Sequence, residues 1–190
     1  NLGAHIILVD NAVIHGELDI KNSNSGTISN DGTISTSQNL ENQSGCTISG
    51  DGTYSVTGHW INNGTFNSAN STLTLIGGGN SQLTCGGDSV CKLFMNKSSG
   101  GTLTLMDNLS INNDLNFLAD NNQILLDNYD LTLSSTATIS SFDNNEFVVT
   151  NGTGQLIKNN LQNFVFPIGY DVSTYNPITL NENGTADNIG

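Results

Sequence analysis

The chain has 190 residues, and its four lysines and absent arginines face 17 acidic residues, which gives a formal net charge of −13. Because phosphate contacts depend on Lys and Arg, this balance argues against nucleic acid and against an anionic membrane surface as partners. No run of about 18 apolar residues occurs, so membrane insertion is not expected either. The low charge density and the abundance of Asn, Ser, Thr and Gly favour a secreted protein, located outside the cell or on its surface.

The first predicted elements repeat every 20 residues. The segments SGTISNDGTISTSQNLENQS (25–44) and GCTISGDGTYSVTGHWINNG (45–64) share Thr, Ile, Ser, Asp and Gly at matching positions, and the apolar positions extend back over a third copy. Polar–apolar–polar triplets predict short strands with one side chain facing inward. The Asp-Gly pairs between them predict tight turns. A repeat this short, without helical spacing, is typical of stacked β-strand coils.

Three columns of apolar side chains are predicted to point into the core at this spacing. They are Leu8, Ile28 and Ile48; Ile14, Ile34 and Tyr54; and Ile20, Leu40 and Trp60. We therefore predict an all-β fold, a parallel β-helix (β-solenoid) with three faces and about 20 residues per rung. Asn22, Asn42 and Asn62 recur at turns, where stacked amides can form a hydrogen-bonded ladder along the axis. A binding role for these amides is the alternative.

The predicted solenoid covers residues 1–158 and changes character along its length. Rungs are regular over 1–66 and irregular over 67–158, where the alternation continues but the spacing is lost. Residues 159–190 contain both prolines of the chain, and proline interrupts a stacked ladder. For this last segment we predict a non-solenoid β cap or the beginning of a following β-sandwich.

The cysteines suggest a structural role. Cys85 and Cys91 bracket a short span with two glycines, which predicts a local disulfide in an oxidising environment. Zinc binding is the weaker alternative, because no histidine is near. Cys46 is expected to be a buried free thiol, with an intermolecular bond as the alternative.

Candidate catalytic groups are few. Asp31 and Asp51 occupy the same turn of adjacent rungs, and a separation of about 5 Å would suit a retaining glycosidase. Both lie in turns where Asp is favoured for local hydrogen bonding, and we prefer that interpretation. His5, His15 and His59 do not align as a triad. We therefore expect no enzymatic activity and no cofactor, with calcium bound by Asp- and Asn-rich turns as a lesser alternative.

Several strings in this sequence, in their order, resemble a known family. They are GTISNDGTIS, SVTGHWINNGTF, LFMNKSSGGTLTL, FVVTNGTGQLIKN, FPIG and YNPITL. They are similar to secreted surface proteins that Bacteroidetes export through the type IX system, a family with adhesins and filament-forming proteins. In addition, Asp88-Ser89-Val90 is similar to the Asp-Ser/Thr-aliphatic acceptor of O-glycosylation in Bacteroidetes, which makes Ser89 a candidate for modification.

These observations favour an extracellular structural or adhesive surface protein, a rigid stalk or a filament-forming subunit. Its expected partners are further copies of itself and surface glycans. The alternative is a carbohydrate-binding module of a secreted polysaccharide-degrading enzyme, although only 6% of the residues are aromatic. Ice binding by aligned threonine rows is a third alternative.

Overall fold

The protein is an all-β solenoid of about eight turns with rungs of about 20 residues. This is seen in a computed structural model that describes residues 5–161, 163–181 and 187–189. Within these residues, no helix is long and apolar enough to cross a membrane. A single short 3₁₀ turn, Ser98–Gly100, interrupts the strands of the described chain.

The strands are short, as the triplet pattern predicts. The first twelve are β1 His5–Leu8, β2 Val13–Gly16, β3 Ile20–Asn22, β4 Thr27–Asn30, β5 Thr33–Thr36, β6 Leu40–Asn42, β7 Thr47–Ser49, β8 Thr53–Val56, β9 Trp60–Asn62, β10 Thr65–Asn67, β11 Thr72–Ile76 and β12 Ser81–Thr84. The others are β13 Ser89–Asn96, β14 Leu103–Leu105, β15 Leu109–Phe117, β16 Gln123–Leu125, β17 Leu131–Leu133, β18 Thr138–Ser140, β19 Phe147–Val149, β20 Leu156–Leu161, β21 Asn163–Phe166, β22 Ile168–Asp171, β23 Thr174–Tyr175, β24 Ile178–Asn181 and β25 Asp187–Ile189.

Three sheets form the faces of the coil, and within the solenoid their strands pair in parallel. A four-stranded sheet has the order β1-β4-β7-β10. A ten-stranded sheet follows the path β2-β5-β8-β11-β13-β15-β17-β20-β25, with β18 also paired to β15. A nine-stranded sheet has the order β23-β22-β19-β16-β14-β12-β9-β6-β3. Neighbouring strands in each sheet come from successive rungs, so the hydrogen bonds run along the solenoid axis.

The longest apolar column lies in the ten-stranded sheet. Its members face one another from rung to rung in the order Ile14, Ile34, Tyr54, Leu73, Leu93, Leu115 and Ile139. In the nine-stranded sheet the corresponding column is Ile20, Leu40, Trp60, Leu83 and Leu105. The side chains between these positions alternate outward, so a single continuous core follows the axis.

The predicted place of Leu8 needs correction. Ile6, not Leu8, pairs with Ile28, and Leu8 pairs with Asn30. Four residues (9–12) connect β1 to β2, whereas two residues (31–32) connect β4 to β5. The longer first turn therefore shifts β1 by two residues from the 20-residue register. Leu8 still faces the core at 3% exposure, while Ile6 is 41% exposed.

Three aromatic side chains meet in the middle of the regular rungs. Tyr54, Trp60 and Phe66 come from consecutive strands on the three faces, and their ring centroids lie 4.9 to 5.8 Å apart with edge-on geometry. Such pairs add to the stabilisation from apolar burial. Phe66 pairs with Ile48, only 18 positions earlier, so this rung is two residues shorter than its predecessors.

Parallel pairing continues beyond residue 158, where a cap was predicted to begin. β20 pairs with β17, and β22 pairs with β19, both in parallel. Pro167 lies between β21 and β22, and its carbonyl accepts a hydrogen bond from the Val148 amide over 2.9 Å. Proline lacks only the donor, so it can still serve the ladder as an acceptor. The antiparallel pairs follow: β21 with β24, β22 with β23, and β20 with β25.

The core column gives a direct stability prediction. Leu73→Ala opens a cavity in a fully buried position and should lower the free energy of unfolding by about 2 to 5 kcal/mol. Thr74→Ala, on the outward side of the same strand, should change it by less than about 1 kcal/mol. Urea unfolding followed by circular dichroism measures both. Equal effects of the two variants would contradict the inward assignment.

Candidate functional site

The three asparagines at the ends of β3, β6 and β9 form a chain of amide hydrogen bonds. Asn22 Nδ2 donates to Asn42 Oδ1 over 2.8 Å, and Asn42 Nδ2 donates to Asn62 Oδ1 over 2.7 Å. All three side chains are buried, and their amides also donate to nearby carbonyls, as Asn42 does to Thr65 over 3.1 Å. The arrangement satisfies the hydrogen bonds of buried polar groups, which favours a structural role over binding.

The ladder ends on a carboxylate. Asn62 Nδ2 donates to the Cys85 carbonyl over 2.8 Å and to Asp88 Oδ2 over 3.1 Å. The same Asp88 oxygen accepts the Phe66 amide over 2.6 Å. A charged acceptor makes these hydrogen bonds stronger than neutral ones. Asp88 therefore anchors the end of the amide ladder, a role that the sequence did not reveal.

The Asp31 and Asp51 carboxylates are used along the axis. Asp31 Oδ1 accepts the Asp51 amide over 3.0 Å, and Asp51 Oδ1 accepts the Asn70 amide over 3.1 Å. Each side chain thus binds the backbone of the following rung. A second column repeats this geometry, since Asp19 Oδ1 accepts the Asn39 amide over 2.9 Å. This geometry supports the turn interpretation of the aspartates.

The histidines are also separated. His5 and His15 lie on β1 and β2, where they contact Thr27 and Ser35 of the next rung. His59 precedes β9, and its Nδ1 accepts the Gln82 amide over 2.9 Å. The structure brings none of them to the Asp31–Asp51 turns. Among the described residues, no group of three or more His, Cys, Asp or Glu side chains is arranged to hold a metal ion.

The structure does not contain the disulfide that was predicted between Cys85 and Cys91, because both are free, buried thiols. Cys85 directly follows β12 in the nine-stranded sheet, whereas Cys91 lies within β13 of the ten-stranded sheet. The glycines between them carry the chain from one face to another instead of folding it back. Cys46 is likewise buried with a free thiol.

Ser89, the candidate for modification, is partly buried. It is the first residue of β13, pairs with Ser110, and its hydroxyl accepts a hydrogen bond from Asn112 Nδ2 over 2.8 Å. Its neighbour Asp88 is held by the amide ladder. A glycan on Ser89 would replace the hydroxyl proton, and its first sugar would have to fit beside the Asn112 side chain.

Two acidic side chains share a turn near the end of the solenoid. Glu146 is only 6% exposed and accepts the Asn121 amide of the preceding rung. Burial, the hydrogen bond with Asp143, and the negative charges of Asp143 and Asp120 raise the pKa of Glu146 to about 7. The hydrogen bond with Glu146 lowers the pKa of Asp143. The pair therefore holds a proton at mildly acidic pH.

Two lysines are buried without carboxylate partners in the described part of the chain. Lys97 Nζ donates to the Ile76 carbonyl over 3.0 Å and to Ser81 Oγ over 2.8 Å. Lys158 Nζ donates to two backbone carbonyls. Desolvation lowers the pKa of both ammonium groups. Neither lysine was predicted to be buried, although each continues an inward-facing alternation: Lys97 follows Met95 by two positions, and Lys158 follows Leu156 by two.

No protein-family model, curated protein or solved structure matches the chain. What the fold defines is therefore a class of architecture, a parallel β-solenoid whose polar side chains serve mainly to join its rungs. The fold alone does not indicate a ligand.

The amide ladder predicts a large effect of a small substitution. Asn42→Ala removes the bonds to Asn22, Asn62 and Thr65 and leaves buried polar groups unpaired, so it should lower the free energy of unfolding by about 2 to 4 kcal/mol. The matched control is Asn63→Ala, at the exposed position that follows Asn62. It should change the free energy of unfolding by less than about 0.5 kcal/mol. Thermal unfolding of both variants measures the difference. An Asn42→Ala variant as stable as the native protein would contradict a stabilising role for the ladder.

The thiols predict a simple chemical result. All three should react slowly with a thiol reagent in the native protein, because they are buried and because burial and neighbouring carboxylates raise the pKa of Cys85. In denaturant without reductant, three thiols per chain should react at once. If only one reacts, Cys85 and Cys91 are paired after all.

The acidic pair predicts a pH dependence. Because the pKa of Glu146 rises on folding from 4.5 to about 7, the folded state binds the extra proton between these values. The free energy of unfolding should therefore fall as pH increases from about 4.5 to about 7, by about 1 to 3 kcal/mol from this group. Glu146→Gln should flatten this slope.

The control for this prediction is Asp10→Asn, which removes an exposed carboxylate and should leave the slope unchanged. Denaturant midpoints at half-unit pH steps give the comparison. The net charge of −13 also disfavours the folded state as pH rises, and both variants share that contribution. Parallel curves for the native protein and Glu146→Gln would refute a proton held by Glu146.

Proposed function

We propose that this chain is part of an extracellular structural or adhesive surface protein, in which the solenoid acts as a stiff stalk or filament segment. The observation that carries the proposal is the unbroken axial stack of parallel strands around one core. Backbone hydrogen bonds join each rung to its neighbours, and in the first rungs the amide ladder and the turn carboxylates add to them. Bending such a stack would break several of these bonds at once, so the architecture suits a rigid spacer.

The type IX export route remains part of this proposal. It rests on the resemblance of the strings between GTISNDGTIS and YNPITL to Bacteroidetes surface proteins. The acidic composition and scarcity of lysine are compatible with a secreted protein. Detection of the native protein at the surface of intact cells by surface proteolysis would test this location, and protection from protease until the cells are broken would argue against it.

We propose no catalytic activity for this region. The strongest carboxylate pair from the sequence, Asp31 and Asp51, binds backbone amides of the following rungs. A glycosidase would need one carboxylic acid and one carboxylate free to face a sugar. Incubation with a panel of polysaccharides, with reducing ends as the readout, should show no turnover; hydrolysis lost in Asp51→Asn would refute the proposal.

The proposal also includes self-association, in which copies of the chain contact one another through the first rung. β1, β2 and β3 make up the first rung that the structure describes. Large aliphatic side chains are exposed on this rung, with Ile7 at 75% and Leu18 at 74%. We expect a second copy to cover these side chains.

The shape of the particles tests the stalk proposal, and the molecular mass in solution tests the contact between copies. Negative-stain microscopy of the native full-length protein should show rods or fibres, and only compact globules would count against a stalk. Light scattering of residues 1–190 from micromolar concentration upward should show association that the double variant Ile7→Lys/Leu18→Lys abolishes. A matched change at the other end, Val172→Lys, should leave association intact; a strictly monomeric native chain would rule out the contact.

A further inference from the structure

A cleft of about 460 Å³ lies where the last solenoid rungs meet the C-terminal strands. This volume is within the range of small-molecule sites, about 300 to 1,000 Å³. The turn at 135–138 forms one wall, and β20 and β21 form the other. Side chains that carry hydroxyl, amide, aromatic and ammonium groups line it: Ser135, Thr136, Thr138, Asn163, Phe164 and Lys158.

Lys158 is the charged group of this cleft. Its side chain is 6% exposed, and its Nζ donates to the Ser134 and Ser135 carbonyls over 2.5 and 2.9 Å. An ammonium group has three donors, so these bonds use two of them. The Phe164 ring centroid lies 5.8 Å from the same nitrogen. The ammonium is thus held in a fixed position beside an aromatic ring.

The charge of Lys158 is not balanced by any described carboxylate within 4.0 Å, in contrast to Lys21, which pairs with Glu41 over 3.0 Å. A buried cation is costly unless it is paired. Desolvation accordingly lowers the pKa of Lys158. An anion that entered the cleft would favour the charged form of the lysine and recover part of this cost.

The surrounding groups narrow the chemistry of such an anion. The Thr138 hydroxyl donates to Asp114 Oδ1 over 2.8 Å and the Thr136 hydroxyl to the Asn112 carbonyl over 3.4 Å, so both oxygens are left as acceptors for the hydroxyls of a ligand. The exposed Asn163 amide can both donate and accept. The half-buried ring of Phe164 offers an apolar face of the kind that packs against the C–H face of a sugar. A carboxylate, several hydroxyls and an apolar face occur together in an acidic sugar.

We propose that this cleft binds a carboxylate-bearing sugar, such as a uronic acid unit of a surface glycan. The carboxylate pairs with the Lys158 ammonium, the ring packs on Phe164, and the sugar hydroxyls bond to the threonine and asparagine side chains. This proposal rests on the proposed adhesive function and names a class of ligand for it. The stalk is judged separately by particle shape, so either idea can fail alone.

Isothermal titration calorimetry of residues 1–190 with a glucuronic acid-containing disaccharide tests the proposal. Two further ligands separate the sources of affinity: a neutral glucose disaccharide, which lacks the carboxylate, and acetate, which lacks the sugar. The acidic disaccharide should bind at least about tenfold more tightly than either, since a good charged hydrogen-bond pair contributes about 1.5 to 3 kcal/mol.

Substitutions in the cleft test whether the disaccharide binds there. Lys158→Met should weaken the acidic disaccharide at least about tenfold, and Lys21→Met should not, although both remove one positive charge. Because Lys158→Met leaves two carbonyls without their donor, Thr136→Tyr provides a second variant, which narrows the cleft from an exposed position. Its control is Thr65→Tyr, an exposed threonine on another sheet. Circular dichroism verifies that each variant is folded.

The outcomes distinguish the class of ligand from the location of the site. Preferential binding of the acidic disaccharide that both cleft variants weaken supports it. Equal binding of the acidic and neutral disaccharides, binding of acetate as tight as that of the acidic sugar, or a preference for the acidic sugar that Lys158→Met leaves unchanged, overturns the assigned ligand class. Absence of binding at millimolar concentration, or binding that Thr136→Tyr leaves unchanged in a folded protein, overturns the site itself.

Discussion

The structure depends on hydrogen bonds that run parallel to its axis and keep successive rungs in register. One rung buries almost nothing by itself, since its inward side chains are covered only by those of the rungs above and below. The column from Ile14 to Ile139 forms only if each strand pairs with the next at the correct residue. A slip of one residue would turn its apolar side chains to solvent. Register is therefore the constraint that every other feature must respect.

The polar side chains are best understood as devices that fix this register. An amide that stacks on its own copy, as Asn42 does between Asn22 and Asn62, is satisfied only when rungs are aligned. Asp31 and Asp51 act likewise at a different corner, where each carboxylate accepts an amide of the next rung. The acidity of the chain thus has a structural component, because these carboxylates join successive rungs.

The sequence predicted the regular rungs because the chemistry there is repetitive. Period-two alternation gave the inward columns of Ile34 and Leu40, and the recurrence of Asn at turns gave the ladder positions. It failed at Leu8, because a turn longer by two residues changes register without changing the local pattern. It also failed at Cys85 and Cys91, since short spacing along the chain does not show that two residues occupy different faces.

The groups that the sequence missed share a location in the irregular rungs. Lys97, Glu146 and Lys158 are buried ionisable side chains, and each is stabilised by partners that occur once in the chain rather than at every turn. A strict repeat can only present the same side chains again and again along a face. A site with its own ammonium group, ring and hydroxyls therefore requires that the repeat be broken. In this solenoid the cleft lies where the irregular rungs meet the antiparallel strands, so the proposed stalk and the proposed ligand site occupy different parts of one continuous core.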